Sequence, residues 1–341
     1  MENTDSENST LLKMPDDVMR IILETLDYCG IQSLRKTCHN LRDFIDVIKP
    51  DPNTVTLKVV VFSNYIRLNF KFSNSEDYLC VEYEKEENGC SVKKSTELTT
   101  KNCLLENQNF LDVFINDFRI FMKFSESQKV PLNLMNFLIQ DRGCSEFFDK
   151  IQTIESHLKV KTLTMTVFNE TEVARILNLT SSGVLKTIQI DNSTWEKYIL
   201  QMSEISRMEQ WRQAEKVTLF RFDVWDPRDF LHFRNVDASF IDLSPEDAVL
   251  LKETFLKSPN FESFKFRYSR LEDGVFDAIG PNPITIEGDE DEPERSWYFE
   301  NPENPDKVLL VESTEWDNLM SYSSVMSRSG VEKMLEGLCL F

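Results

Sequence analysis

The chain has 341 residues, 58 Asp plus Glu against 38 Lys plus Arg, and a formal net charge of −20. Its length exceeds the roughly 250–300 residues that one core serves, so more than one module is expected, and a hydrophobic share of 41% excludes wholesale disorder. The acidic surface disfavours binding to nucleic acid or an anionic membrane, and nine glycines, with no G-x-G-x-x-G and no G-x-x-x-x-G-K-[ST], leave neither common nucleotide loop supported.

The polar segment from Met1 to Thr10 lacks the apolar stretch of a secretory signal and reads as a disordered tail. No apolar run approaches a membrane span. The seven cysteines are odd in number, spread out and without C-x-x-C, which predicts reduced thiols and a cytoplasmic or nuclear protein. The N-x-[ST] sequons at Asn8, Asn169, Asn178 and Asn192 then carry no glycan.

Helical spacing begins after the tail. Pro15 suits a first helical position, Asp16 and Asp17 suit the positive end of a helix dipole, and Val18, Ile21, Ile22, Leu23 and Leu26 form a wide stripe. Gly30 is expected to end this helix. A second stripe runs through Ile31, Leu34, Cys38, Leu41, Phe44, Ile45 and Ile48 to Pro50 and Pro52. A unit of about forty residues is at the lower limit for folding alone and should lean on a partner or on the next domain.

Residues 54–105 read as β-rich. Val55, Leu57, Val59 and Val61 alternate with mixed neighbours, and after a break at Asn64 so do Ile66, Leu68, Phe70 and Phe72. Leu79, Val81 and Tyr83 suggest a further strand with Asn88-Gly89 as its turn. The expectation is a small antiparallel sheet bridging two modules.

From residue 107 helix and strand patterns alternate. Phe110, Phe114, Phe118 and Phe121 form one helical face, and Phe147, Phe148, Ile151, Ile154 and Leu158 another. Val173, Ile176 and Leu177 give a short helix, and Trp195, Tyr198, Ile199, Met202 and Ile205 step as a further helix face. Ser244-Pro245-Glu246-Asp247 opens a capped helix. The intervening strands share an apolar-x-x-apolar-x-apolar frame centred on Met135, Leu163, Ile188, Val217 and Phe264, at gaps of 28, 25, 29 and 47 residues. The last gap divides if Val236-x-x-Ser239-x-Ile241 supplies a degraded copy. Such periods predict an irregular leucine-rich-repeat-like α/β domain over 107–275, with an ordinary two-layer α/β domain as the alternative. Residues 276–341 hold an acidic run, Glu287 to Glu294, read as a solvated loop, then a hairpin from Trp297-Tyr298-Phe299 and Val308 to Val311, and a hairpin or helix tail.

Two stretches resemble known families. Leu11, Met14-Pro15, Asp17-Val18, Ile22-Leu23, Leu26, Ile31, Leu34-Arg35, Thr37-Cys38-His39 and Leu41-Arg42 together resemble the F-box over residues 11–50, with Met14 where Leu is usual and His39 where a cation is usual. That resemblance implies a three-helix unit docking on a Skp-family adaptor. Met14, Pro15, Val18, Ile22, Leu23, Leu26, Ile31, Leu34, Cys38 and Leu41 then fall at positions that touch the adaptor or hold the helices around it. The segment from Ile205 through Glu209-Gln210-Trp211 to Val217, and that from Leu250 to Lys265, resemble the FTH domain found behind F-boxes in a large nematode family. Together the two resemblances imply a substrate-recognition subunit of an SCF-type ubiquitin ligase, bound through the adaptor to a cullin and holding an unknown protein substrate. The alternative is an interaction scaffold or regulator that binds the adaptor without forming a ligase.

Little points to catalysis. His39, His157 and His232 are scattered, no H-E-x-x-H or G-x-S-x-G occurs, and no catalytic residue, cofactor or metal ligand is expected. The F-box reading needs only proximity, which raises the effective concentration of substrate near a transfer enzyme.

Overall fold

A computed structural model describes residues 14–73, 78–287, 293–301, 304, 307–314 and 317–326. The N-terminal tail, most of the acidic run and any C-terminal tail helix lie outside the described residues. The chain divides into two units, one holding residues up to Val167 with Arg175–Leu185, the other Phe168–Ala174 with Lys186 onward. No helix among the described residues is long and apolar enough to cross a membrane.

The first unit opens with α1 (Asp16–Thr25), whose dipole is met by Asp16 and Asp17, with Pro15 one position ahead of the helix. Gly30 does not end it. Leu26 is already extended, and Asp27 starts α2 (Tyr28–Arg35) by accepting from the Gly30 backbone N–H at 2.7 Å. A Cβ on Gly30 would lie 3.2 Å from Leu26, so the missing side chain lets the two helices meet closely. Helix α3 (His39–Ile48) follows and stops at Lys49, which is left-handed (φ 49°).

Next comes a meander of β1 (Thr54–Phe62), β2 (Tyr65–Phe72), β3 (Tyr78–Glu86), β4 (Gly89–Ser95) and β5 (Thr100–Glu106), each antiparallel to the next. The β3–β4 loop is Glu87-Asn88, one residue earlier than expected, because Gly89 is already paired with Glu86. A Cβ on Gly89 would sit 2.2 Å from the Leu105 carbonyl oxygen, an approach only glycine permits. The meander is not a sheet of its own. The free edge of β1 pairs in parallel with β6 (Leu132–Ile139), which pairs in parallel with β7 (Val160–Val167). Helix α4 (Phe110–Glu126), capped by Asn109, supplies part of that crossover. Phe114 and Phe118 are fully buried, with Phe114 packed 5.6 Å from Tyr83 and Phe121 5.0 Å from Phe70. Helix α5 (Ser145–Ile151) is shorter than the apolar spacing predicts: Leu158 lies beyond it, bridged to Thr180.

The helical trio leans on this unit. Leu23, Ile31 and Ile45 share a core with Phe124 of α4, and the Tyr28 ring meets Phe121 edge-on at 5.3 Å.

The division between units falls within α6 (Glu170–Leu177). In the second unit β8 (Thr187–Asn192), β10 (Lys216–Phe220), β12 (Asn235–Leu243) and β13 (Ser263–Leu271) are parallel neighbours, while β9 (Tyr198–Ile199) and β11 (Phe222–Asp223) form a separate short pair. Between them lie α7 (Glu209–Arg212), α8 (Pro245–Lys257) and, after β13, α9 (Val275–Ile279). Antiparallel strands β14 (Ile284–Glu287), β15 (Pro293–Glu300), β16 (Lys307–Thr314) and β17 (Leu319–Met326) continue from the far edge of β13, including the expected pairing of Trp297–Phe299 with Leu309–Val311.

Pairing tests the sequence frame. Met135 faces Leu163 and Ile188 faces Val217, as the frame requires. The degraded copy is misplaced: Val236, not Ser239, faces both Val217 and Phe264. The copy is therefore Phe233-x-x-Val236-x-Ala238, three residues earlier, with all three apolar positions buried. The helix expected across Trp195–Ile205 does not form, since Tyr198 and Ile199 are β9 and only Ile205–Arg207 coil, as a 3₁₀ turn. Helix α8 forms as expected, with Ser244 and Asp247 each accepting the other's backbone N–H.

Candidate functional site

Helix α1 and the turn that leads into it carry two apolar stripes. Met19, Leu23 and Leu26 turn inward, whereas Met14, Val18 and Ile21 are exposed by 37%, 40% and 63%. A surface helix needs only the inner stripe for its own core, so an outer one is unexplained by folding. Of the residues singled out from the sequence, Leu23 and Ile31 are buried in the helical core, and Leu41 is buried as well. Ile22, Leu26, Leu34 and Cys38 are half-buried, and Met14, Pro15 and Val18 face solvent. Ile21 belongs with the last group; its place in the first stripe signals helix but not side. On α3, Val47 is 82% exposed.

A second surface lies in the second unit, on the loops that leave the C-terminal ends of β8 and β10, where open α/β sheets place ligand-binding loops. Trp195 is 92% exposed there, with Tyr198 and Ile199 exposed close by in the chain and Phe220 and Trp225 exposed around the end of β10. These loops are tied together by polar devices. Asn192, itself buried, accepts from the Thr194 backbone N–H at 2.9 Å and donates to the carbonyls of Glu196 (3.1 Å) and Arg221 (3.4 Å). Arg221 is left-handed (φ 59°), a conformation uncommon outside glycine and Asn. Its guanidinium grips Asp191 through two bonds of 2.9 and 2.6 Å and lies 5.1 Å from the Trp195 ring centre. Backbone pairing of β9 with β11 fixes Tyr198 beside Phe222. Exposed Trp and Tyr beside a fixed Arg is the composition of interface hot spots.

The two segments that resemble the FTH domain are core rather than surface. Trp211 is fully buried between Phe230 and Phe233, and its indole N–H donates to the Asp229 carbonyl at 3.1 Å. Leu251, Phe255, Phe261 and Phe264 are buried, and Phe255 stacks on Phe261 at 4.0 Å.

His39 is on α3, His157 in the loop before β7 and His232 in the loop before β12. Among the described residues no group of three or more His, Cys, Asp or Glu could hold a metal ion.

Comparison with known families matches the F-box domain to residues 11–51 and the FTH domain to residues 142–278. No curated protein and no solved structure matches the chain.

Proposed function

We propose that this chain, an F-box protein with a C-terminal FTH domain, serves as the substrate-recognition subunit of an SCF-type ubiquitin ligase and performs no bond chemistry itself. F-box domains bind Skp-family adaptors. The observation that carries the reading is the outer stripe of α1, Met14, Val18 and Ile21, apolar and exposed within the F-box match. In this reading the adaptor covers that stripe together with Pro15, Ile22 and Cys38, while Leu26 and Leu34 pack inward. Leu23, Ile31 and Leu41 hold the helices from within. The succession of parallel strands and helices within 142–278 is read as an irregular leucine-rich-repeat-like receptor, an interpretation supported by its buried, in-register apolar frame. Substrate would sit on the aromatic loops after β8 and β10, and a net charge of −20 favours a neutral or basic one.

The test is coexpression of the full chain with a Skp-family adaptor. The adaptor should copurify, and Ile21→Asp should abolish copurification while leaving the urea midpoint of the chain unchanged. A chain that captures no adaptor ends the proposal. Cullin in the complex, and ubiquitin on a partner that accumulates under proteasome inhibition, separate a ligase subunit from a scaffold.

A further inference from the structure

Within the first unit, between α2 and the sheet, lies a crevice of about 160 Å³. An engineered apolar cavity of roughly 150 Å³ takes up benzene, so this volume suits one aromatic ring. Helix α2 turns Tyr28, Gln32, Arg35 and Lys36 toward it, at the spacing of a single helix face. Ile31 and Leu34 point instead into the helical core. Leu68, Phe70, Leu79, Val81 and Phe121 give the crevice apolar walls.

Its polar groups favour an acceptor. The Gln32 side-chain Nε2 is buried and has no hydrogen-bond partner, which is costly unless something in the crevice accepts from it. Lys94 and Lys36 also line the space, Lys94 interacting with the Cys29 thiol. The carboxylate in the lining, Asp117, already accepts the Tyr83 hydroxyl at 2.9 Å, and Arg35 is held by Asp46 through two bonds. Burial pushes the Cys29 thiol and the Tyr28 hydroxyl upward, so neither contributes an anion. In a chain of net charge −20, this is a spot where lining cations outnumber carboxylates.

We propose that the crevice binds a small monoanion with one aromatic ring, the ring against the Leu68–Val81 wall and the carboxylate taken by Gln32 and Lys94. The proposal is independent of adaptor docking and of the ligase reading, and its test uses neither. The full chain is titrated with phenylacetate by calorimetry and thermal melting, with phenylacetamide and phenethylamine as neutral and cationic counterparts. Phenylacetate should bind one-to-one and raise the melting temperature with the logarithm of one plus the ratio of free ligand to Kd, continuing beyond saturation. Phenylacetamide should bind about tenfold more weakly, in line with the extra strength of charge-assisted bonds, and phenethylamine should not bind. Gln32→Leu and Lys94→Met should each weaken phenylacetate about tenfold. If Gln32→Leu lowers the melting temperature of the free chain, the reading is taken from Lys94→Met, whose side chain is not part of the buried core. Absence of phenylacetate binding, equal affinity for acid and amide, or indifference to both substitutions overturns the proposal.

Discussion

Helix α4 and the loops after β8 and β10 both carry aromatic side chains a few residues apart, and they treat them in opposite ways. On α4, Phe114, Phe118 and Phe121 are buried, Phe118 stacking on Phe114 at 5.3 Å and lying tilted to Phe121 at 6.1 Å. On the loops, Trp195, Phe220 and Trp225 stand in solvent. The helix is held by the burial of its rings. The loops are held by polar means, through the Asn192 side chain, the Arg221–Asp191 pair and the β9–β11 pairing, which leaves their rings free to meet something else. Aromatic content therefore stabilises one region and equips the other.

The contrast breaks most readily at Phe118. Phe118→Ala should cost about 3–5 kcal/mol, the range for deleting a buried phenyl group, read as a fall in the urea midpoint. A cost below about 1 kcal/mol would mean that the α4 face is loosely packed. Next in size, Asn192→Ala should cost about 1–3 kcal/mol, because the backbone groups of Thr194, Glu196 and Arg221 lose their partner. It should also expose residues 193–199 to limited proteolysis. Unchanged cleavage there would show that β9–β11 pairing alone holds the loops.

The same pair of regions shows where the sequence is readable. On α4, period and cap agree with burial, since the Asn109 cap and the three-or-four spacing both follow from local geometry. Trp195, Tyr198, Ile199, Met202 and Ile205 have equally good helical spacing, yet Asn192-Ser193-Thr194 supplies a side-chain turn that commits the backbone elsewhere, and β9 then pairs with a strand more than twenty residues away. Spacing reports a possible face; it does not report which long-range partner competes for the backbone. In the F-box stretch local spacing marks two helical stripes that divide at Gly30, and the third helix is implied only by the family resemblance; the side on which Ile21 emerges depends on α4 covering the other side. The crevice under α2 combines residues from α2, β2, β3, β4 and α4, and no local pattern announces it.

A smaller effect separates buried from displayed rings within the second unit. His232 lies against Phe233, its ring 4.0 Å away, and donates from Nε2 to the Trp211 carbonyl at 3.0 Å, since a carbonyl can only accept. Burial lowers its proton affinity below the ordinary imidazole value, outweighing that hydrogen bond. The unfolded chain then takes up the proton first as pH falls. The stability it contributes is full above about pH 6.5 and is lost as pH drops from there through the folded-state value. His232→Gln should flatten this part of the pH profile when urea midpoints are compared from pH 8 to pH 5. An unchanged slope would assign the pH dependence to other groups.

The smallest change in stability belongs to the largest exposed ring. Trp195 gives up little on truncation: at 92% exposure it contributes almost no burial, and its stacking with Arg221 takes place in water, where such contacts are weak. Trp195→Ala should therefore leave the urea midpoint within about 0.5 kcal/mol of the wild type. It should nonetheless lower the readily quenched fraction of tryptophan fluorescence under acrylamide, leaving the half-exposed Trp225 as a quenchable ring, while Trp211 is fully buried and Trp297 nearly so. A substantial loss of stability would mean that the ring is part of the scaffold after all, and the loops would then belong with α4 as structure rather than stand apart as a surface held ready for a partner.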